Sequence, residues 1–180
     1  MRGHVPSPNA ALKASGVVLG MLAGADSIDD CDVLRHGAMD KVLTGVRAPS
    51  TLGTFLRAFT FGHVRQLDAV ASRTLAGLVK VVPQVLGGAT DPDGIAFVDI
   101  DDTMREAHGY RKQGVEYGYN RVKGLNVQIV TVSSPTCAPL IAGARLRKGN
   151  VVSGHGASTL LASSIATVRA AGVTGRVMVR

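Results

Sequence analysis

The chain has 180 residues, 46% of them hydrophobic and 18% charged, with 20 Lys and Arg against 13 Asp and Glu for a formal charge of +7. That length holds one ordinary domain, or a small one plus part of a second, which excludes a large multidomain enzyme; the hydrophobic share excludes intrinsic disorder. The positive balance suits a polyanionic partner, although a basic surface alone requires none.

The first 22 residues read as a loose leader, with Pro6 and Pro8 and no clear period. Their nearly apolar run, Ser15 to Ala25, is broken by Gly20 and Gly24 and falls well short of the roughly 18 residues that span a bilayer. The same stretch imitates a secretory signal, since Arg2, His4 and Lys13 precede it and Ala23-Gly24-Ala25 closes it. It is short and sits behind a long front segment, so the expectation is a cytoplasmic protein with no membrane partner. Cys31 and Cys137 lie far apart without a second Cys or paired His near either, which argues against a zinc site or a disulfide framework.

Residues 23–86 read as a helical, DNA-binding module. Asp26 or Ser27 caps a first helix, Ser27 and Asp30 have capping-box spacing, and Gly37 ends it. A short second helix is predicted from Ala38 to Thr44. Pro49-Ser50-Thr51 is a start signal, and Leu52, Phe55, Leu56 and Phe59 form one apolar helix face that Val64, Leu67, Ala71, Leu75, Leu78 and Val82 continue to Pro83. From Lys41 to Lys80 there are six basic residues, including Arg57 and Arg65, against the single acid Asp68, a balance that suits phosphate contact. Arg57, Arg65 and Arg73 rotate about 80° per step of eight on a helix and so form no single stripe.

Residues 87–94, with Gly87-Gly88 and Asp91-Pro92-Asp93-Gly94, read as a linker. Residues 95–180 then change to strand patterning: 95–100, 115–119, 125–133 and 139–146, followed by a helix over 157–171 and a strand over 175–179. The fold class is therefore α/β: a helical module, then three mostly antiparallel strands, a helix and a fourth strand. From Tyr117 to Arg180 there is no acid at all but eight Lys or Arg, which marks that stretch as the polyanion-facing part.

The chemistry concentrates at Asp99-Ile100-Asp101-Asp102-Thr103. Alternation along a strand puts Asp99 and Asp101 on one face, and two carboxylates there at a strand end make a hard-oxygen site suited to Mg²⁺ or Mn²⁺. The plainer alternative is an acidic strand-to-turn junction capped by Asp102 and Thr103. Glu106 and Glu116 read as solvated, and His108 as a surface or packing residue.

These five residues after an apolar strand, followed by Gly109-Tyr110-Arg111-Lys112-Gln113-Gly114, Tyr117-Gly118-Tyr119-Asn120 and Lys123-Gly124-Leu125-Asn126, resemble the front half of a DDE-type transposase of bacterial insertion sequences. Upstream, Gly24 to Asp30 with Leu34-Arg35, and Ala48 to Arg57, resemble the helical segment of the same group. The resemblance runs from about Gly24 to Arg180. It implies a ribonuclease-H-like catalytic domain over 95–180, with Asp101 as the first catalytic and metal-binding Asp by the D-x-T pattern and Asp99 as helper or alternative bearer. It further implies Mg²⁺ or Mn²⁺ as cofactor in the complete enzyme, transposon ends and target DNA as partners, and a possible homo-oligomer. Arg57, Arg65, Arg111, Lys112 and Lys123 are the expected DNA contacts.

The family's second Asp follows its fourth strand and its third carboxylate lies much further on, yet no Asp or Glu follows Glu116 here. The expectation is a truncated, N-terminal portion of a transposase that on its own neither cuts nor joins DNA. Two other readings stay open. Asp99-x-Asp101-x-Thr103 also matches the first motif of haloacid-dehalogenase-type phosphatases, with Asp99 as nucleophile and Asp101 as acid/base. The third is a non-catalytic DNA-binding protein.

Overall fold

A computed structural model describes residues 7–108 and 112–180. The chain is mixed α/β and divides into two compact units, 1–66 and 67–180.

In the first unit, helix α1 (Ala10–Leu22) is followed by a 3₁₀ helix over Asp29–Arg35, a single 3₁₀ turn over Met39–Lys41, and helix α2 (Pro49–Arg57). The expected loose leader is thus corrected: its second half is helical. The reason lies in its small residues, because Gly16 and Gly20 are buried, Gly16 against Leu52 and Gly20 so close to Cys31 that a Cβ there would collide with the sulfur. Glycines that resemble breakers in the sequence let other elements approach α1. Cys31, Leu34, Leu52 and Phe55 complete this small core, and Phe59 meets Phe55 edge to face with ring centres 5.2 Å apart.

The expected capping box forms. Ser27 N–H donates to Asp30 Oδ2 (2.8 Å) and Asp30 N–H to Ser27 Oγ (3.3 Å), and the Ser27 hydroxyl, then its backbone N–H, hold the Asp30 carboxyl below its usual pKa. The helix it starts is 3₁₀, however, and the expected helix over 38–44 shrinks to one turn. Pro49 does open α2, at a position where its missing N–H costs nothing.

Helix α3 (Phe61–Val81) runs out of the first unit into the second, where Leu75 and Val79 enter the core. The second unit is built on a five-stranded mixed sheet: β1 (Ile95–Glu106), the two-residue β2 (Glu116–Tyr117), β3 (Lys123–Ser134), β4 (Cys137–Lys148) and β5 (Arg176–Val179). β1, β3 and β4 form an antiparallel meander, β5 lies parallel to β1 on its other edge, and β2 pairs with the first residues of β3. Pro135-Thr136 supplies the tight β3–β4 turn, which the hydrogen bonds of the Ser134 hydroxyl to Thr136 and Cys137 hold. Helix α4 (Ala157–Ala170) connects β4 to β5 and covers one sheet face. It comes close because β4 has Gly143 there, where a Cβ would collide with the Ser164 hydroxyl.

The core on that face joins Ala96 and Val98 of β1, Val130 and Val132 of β3, Leu160 and Val168 of α4, and Leu86 and Ala89. The last two correct the expected linker over 87–94. Residues Pro83–Thr90 form a 3₁₀ segment kinked at Gly87, whose φ of 51° suits glycine, and Leu86 and Ala89 are fully buried against the sheet. The division between compact units accordingly falls at Gln66/Leu67, inside α3.

Two strands also differ from expectation. The strand expected over 115–119 is reduced to Glu116–Tyr117, whereas β1 continues six residues past Ile100 because β3 goes on pairing with it to Glu106↔Gly124. Among the described residues, no single helix is long and apolar enough to cross a membrane.

Candidate functional site

Alternation along β1 sorts its acids onto two faces. Ala96 and Val98 point into the core, so Ile100 and Asp102 follow them, while Phe97, Asp99, Asp101 and Thr103 occupy the other face. Asp99 and Asp101 therefore share a face as expected, but in mid-strand, opposite Thr131 and Ile129 of β3, rather than at a strand end.

On the outer face the two acids differ. Both Asp99 oxygens accept hydrogen bonds from Arg180, from Nε at 2.7 Å and Nη2 at 2.9 Å. This contact raises the pKa of the Arg180 guanidinium, which also lies 4.5 Å over the centre of the Phe97 ring. Asp101 is exposed, and one of its oxygens accepts the N–H of Asp102 at 2.8 Å. Two hard-oxygen donors on one face suit a cation that keeps most of its water and takes further ligands from a phosphate. Among the described residues no group of three His, Cys, Asp or Glu side chains comes together to hold a metal ion.

The remaining expected contacts are dispersed. Arg57 is exposed at the end of α2 and donates to Thr54 Oγ1, and Arg65 is exposed on α3. Lys112 is exposed in the segment before β2. Lys123 opens β3 six residues from Ile129, the partner of Asp101, or about 20 Å along the strand at ~3.3 Å per residue. Arg111 lies outside the described residues. Glu116 is exposed, and exposed His108 stands 4.0 Å from Glu106.

The inner face carries a polar cluster that the motif reading passes over. Asp102, Asn126, Gln128 and Arg147 extend the buried face beyond Val130, where the sheet stops being apolar. Asp102 Oδ2 accepts from Asn126 Nδ2 (2.6 Å), Arg147 Nη2 (3.0 Å) and Ser153 Oγ (3.1 Å). Arg147 also donates through Nε to Asn126 Oδ1 (2.9 Å) and through Nη1 to the carbonyls of Ser153 (3.1 Å) and His155 (2.6 Å). With side chains only 6% and 17% exposed, Arg147 and Asp102 form a buried ion pair that ties the segment before α4 to the sheet. The available signal was periodicity: counting by twos from Val98 and from Val130 brings Asp102, Asn126 and Gln128 onto the core face.

No family model, no curated protein and no solved structure matches the chain.

Proposed function

We propose that residues 95–180 are the first part of a ribonuclease-H-like domain and that the chain belongs to a DDE-type transposase, binding DNA and contributing Asp101, with Asp99 beside it, to metal-dependent strand cleavage and transfer. The observation that carries this reading is the strand order. An antiparallel meander of β1, β3 and β4 is followed by α4 and then by β5 parallel to β1, the order that the resemblance implies. Asp101 lies exposed on β1, a strand with neighbours on both sides.

Asp101 and Asp99 are the residues that would hold Mg²⁺ or Mn²⁺, whose charge, when bound, polarises a phosphoryl oxygen. The rest is positioning by the chain itself. The paired backbone of β1 sets the Cα atoms of the two acids about 6.6 Å apart, two residues of strand rise. Arg180, braced on Phe97, holds Asp99 in one orientation. Clamped through both oxygens, Asp99 is less open than Asp101 to a nucleophile's role and to metal ligation alike, which makes Asp101 the principal ligand of the pair. Since no acid follows Glu116, the chain by itself is expected to bind DNA without cutting it.

Two assays on the purified chain test this. Duplex DNA binding is expected to weaken steeply with salt, and supercoiled plasmid is expected to stay intact in Mg²⁺. Salt-independent binding contradicts the proposal, nicking that Asp101→Asn abolishes contradicts the inactivity expected of the chain alone while keeping the role of Asp101, and phosphoester hydrolysis lost in Asp99→Asn favours the phosphatase. The DNA after codon 180 tests the family: in the same or a shifted frame, an acid is expected just after the β5 strand and another far beyond.

A further inference from the structure

Where the polar cluster meets the end of the sheet there is a cavity of about 390 Å³. Arg145, Arg147 and Lys148 of β4 line it, with Asn150 beyond the strand and His155 and Gly156 at the start of α4. No carboxylate is among its lining residues. The charge of Arg147 is met from the inner side by Asp102, but neither Arg145 nor Lys148 forms an ion pair with any described carboxylate.

Arg145 is the telling residue. Its Nε is shut off from water and has no hydrogen-bond partner, a state that costs free energy until an acceptor arrives. Its Nη1 lies 3.7 Å from where a Cβ on Gly156 would stand, so the guanidinium sits against the cap of α4. That end of a 14-residue helix is itself partly positive, Gly156 offers no side-chain acceptor, and the first turn contains no acid. Positive charge and an unmet donor converge on one hollow with nothing negative in it. An anion with several oxygens offers these groups acceptors, and a guanidinium fork matches phosphate.

We infer that this cavity is a phosphate-binding subsite, with Arg145 as its ligand and Arg147, locked to Asp102, as its fixed wall. It lies on the sheet face opposite Asp99 and Asp101, so it takes a different phosphate from the one those acids would act on. Only the source of that phosphate rests on the function proposed above: a DNA backbone offers these oxygens, and so does free phosphate.

The test uses ¹⁵N-labelled full chain titrated first with inorganic phosphate and then with a short DNA duplex. Saturable shifts are expected at Arg145 Nε–H and at the amides of residues 155–159, with phosphate binding roughly tenfold weaker in Arg145→Gln, equivalent to about 1.4 kcal/mol. Arg145 stands outside the Arg147–Asp102 network, so the variant should fold, and an unchanged spectrum elsewhere checks that. Should it fail to fold, Arg145→Lys, which keeps the charge and loses the guanidinium fork, carries the same comparison with a smaller loss of affinity. The duplex is expected to move the same signals, and the slope of log affinity against log salt to fall by about one in the variant. No shift with phosphate, or equal affinity in the variants, overturns the subsite. Shifts with phosphate but none with duplex keep the subsite and remove DNA as its source. Duplex binding that leaves these signals unmoved overturns the inference while the proposed function stands.

Discussion

The two faces of the second unit's sheet treat chemically similar residues in opposite ways. On the inner face Asp102 is enclosed by Arg147, Asn126 and Ser153, every contact of its Oδ2 a charged or polar donor. On the outer face Asp101, its chain neighbour, meets solvent, and Ile141, Leu146 and Met178 are half or more exposed. Adjacent acids of one motif thus divide into a structural anion and an available one, and the division follows from which way each side chain points. Composition is blind to it; the period-two alternation of β1 assigns the faces, and burial makes them differ.

The strongest way to break this comparison is to strand the inner anion. Arg147→Ala leaves Asp102 buried without its counterion, and the second unit should lose about 3–5 kcal/mol, read as a fall in the denaturant midpoint. A loss below 1 kcal/mol would mean that the inner cluster is as wet as the outer face. Leu86→Ala should cost about 2–5 kcal/mol by opening a cavity in the core, measured in the same way. If it cost nothing, this segment would be as loosely attached as the linker that the sequence suggests over 87–94. On the outer face Leu146→Lys should change stability by no more than ~0.5 kcal/mol, as exposed positions do. A loss like that of Leu86→Ala would show that the outer face is packed in solution.

Much of the layout was legible because local chemistry and tertiary packing agree. Pro49 starts α2, the alternating Val127, Ile129 and Thr131 mark β3, and Gly172, at a φ of 108°, ends α4 where the sequence puts a stop. The failures share one cause, packing between residues distant in sequence. Gly20 reads as a breaker until Cys31 fills the space beside it, and Gly16 likewise makes room for Leu52. Ile100 looked like the end of a strand because acids follow it, yet β3 supplies hydrogen-bonding partners through Glu106. Arg147 and Asp102 are 45 positions apart, and only the successive pairings β1–β3 and β3–β4 bring them together around Asn126.

The most direct test of the contrast between Asp101 and Asp102 is paramagnetic broadening of the full chain's amide spectrum by Mn²⁺. Broadening centred on residues 99–103 and their outer-face neighbours Ile129 and Thr131, lost in Asp101→Asn, is the predicted result. Broadening centred on Asn126, Arg147 and Ser153, or a pattern that Asp101→Asn leaves unchanged, would contradict it.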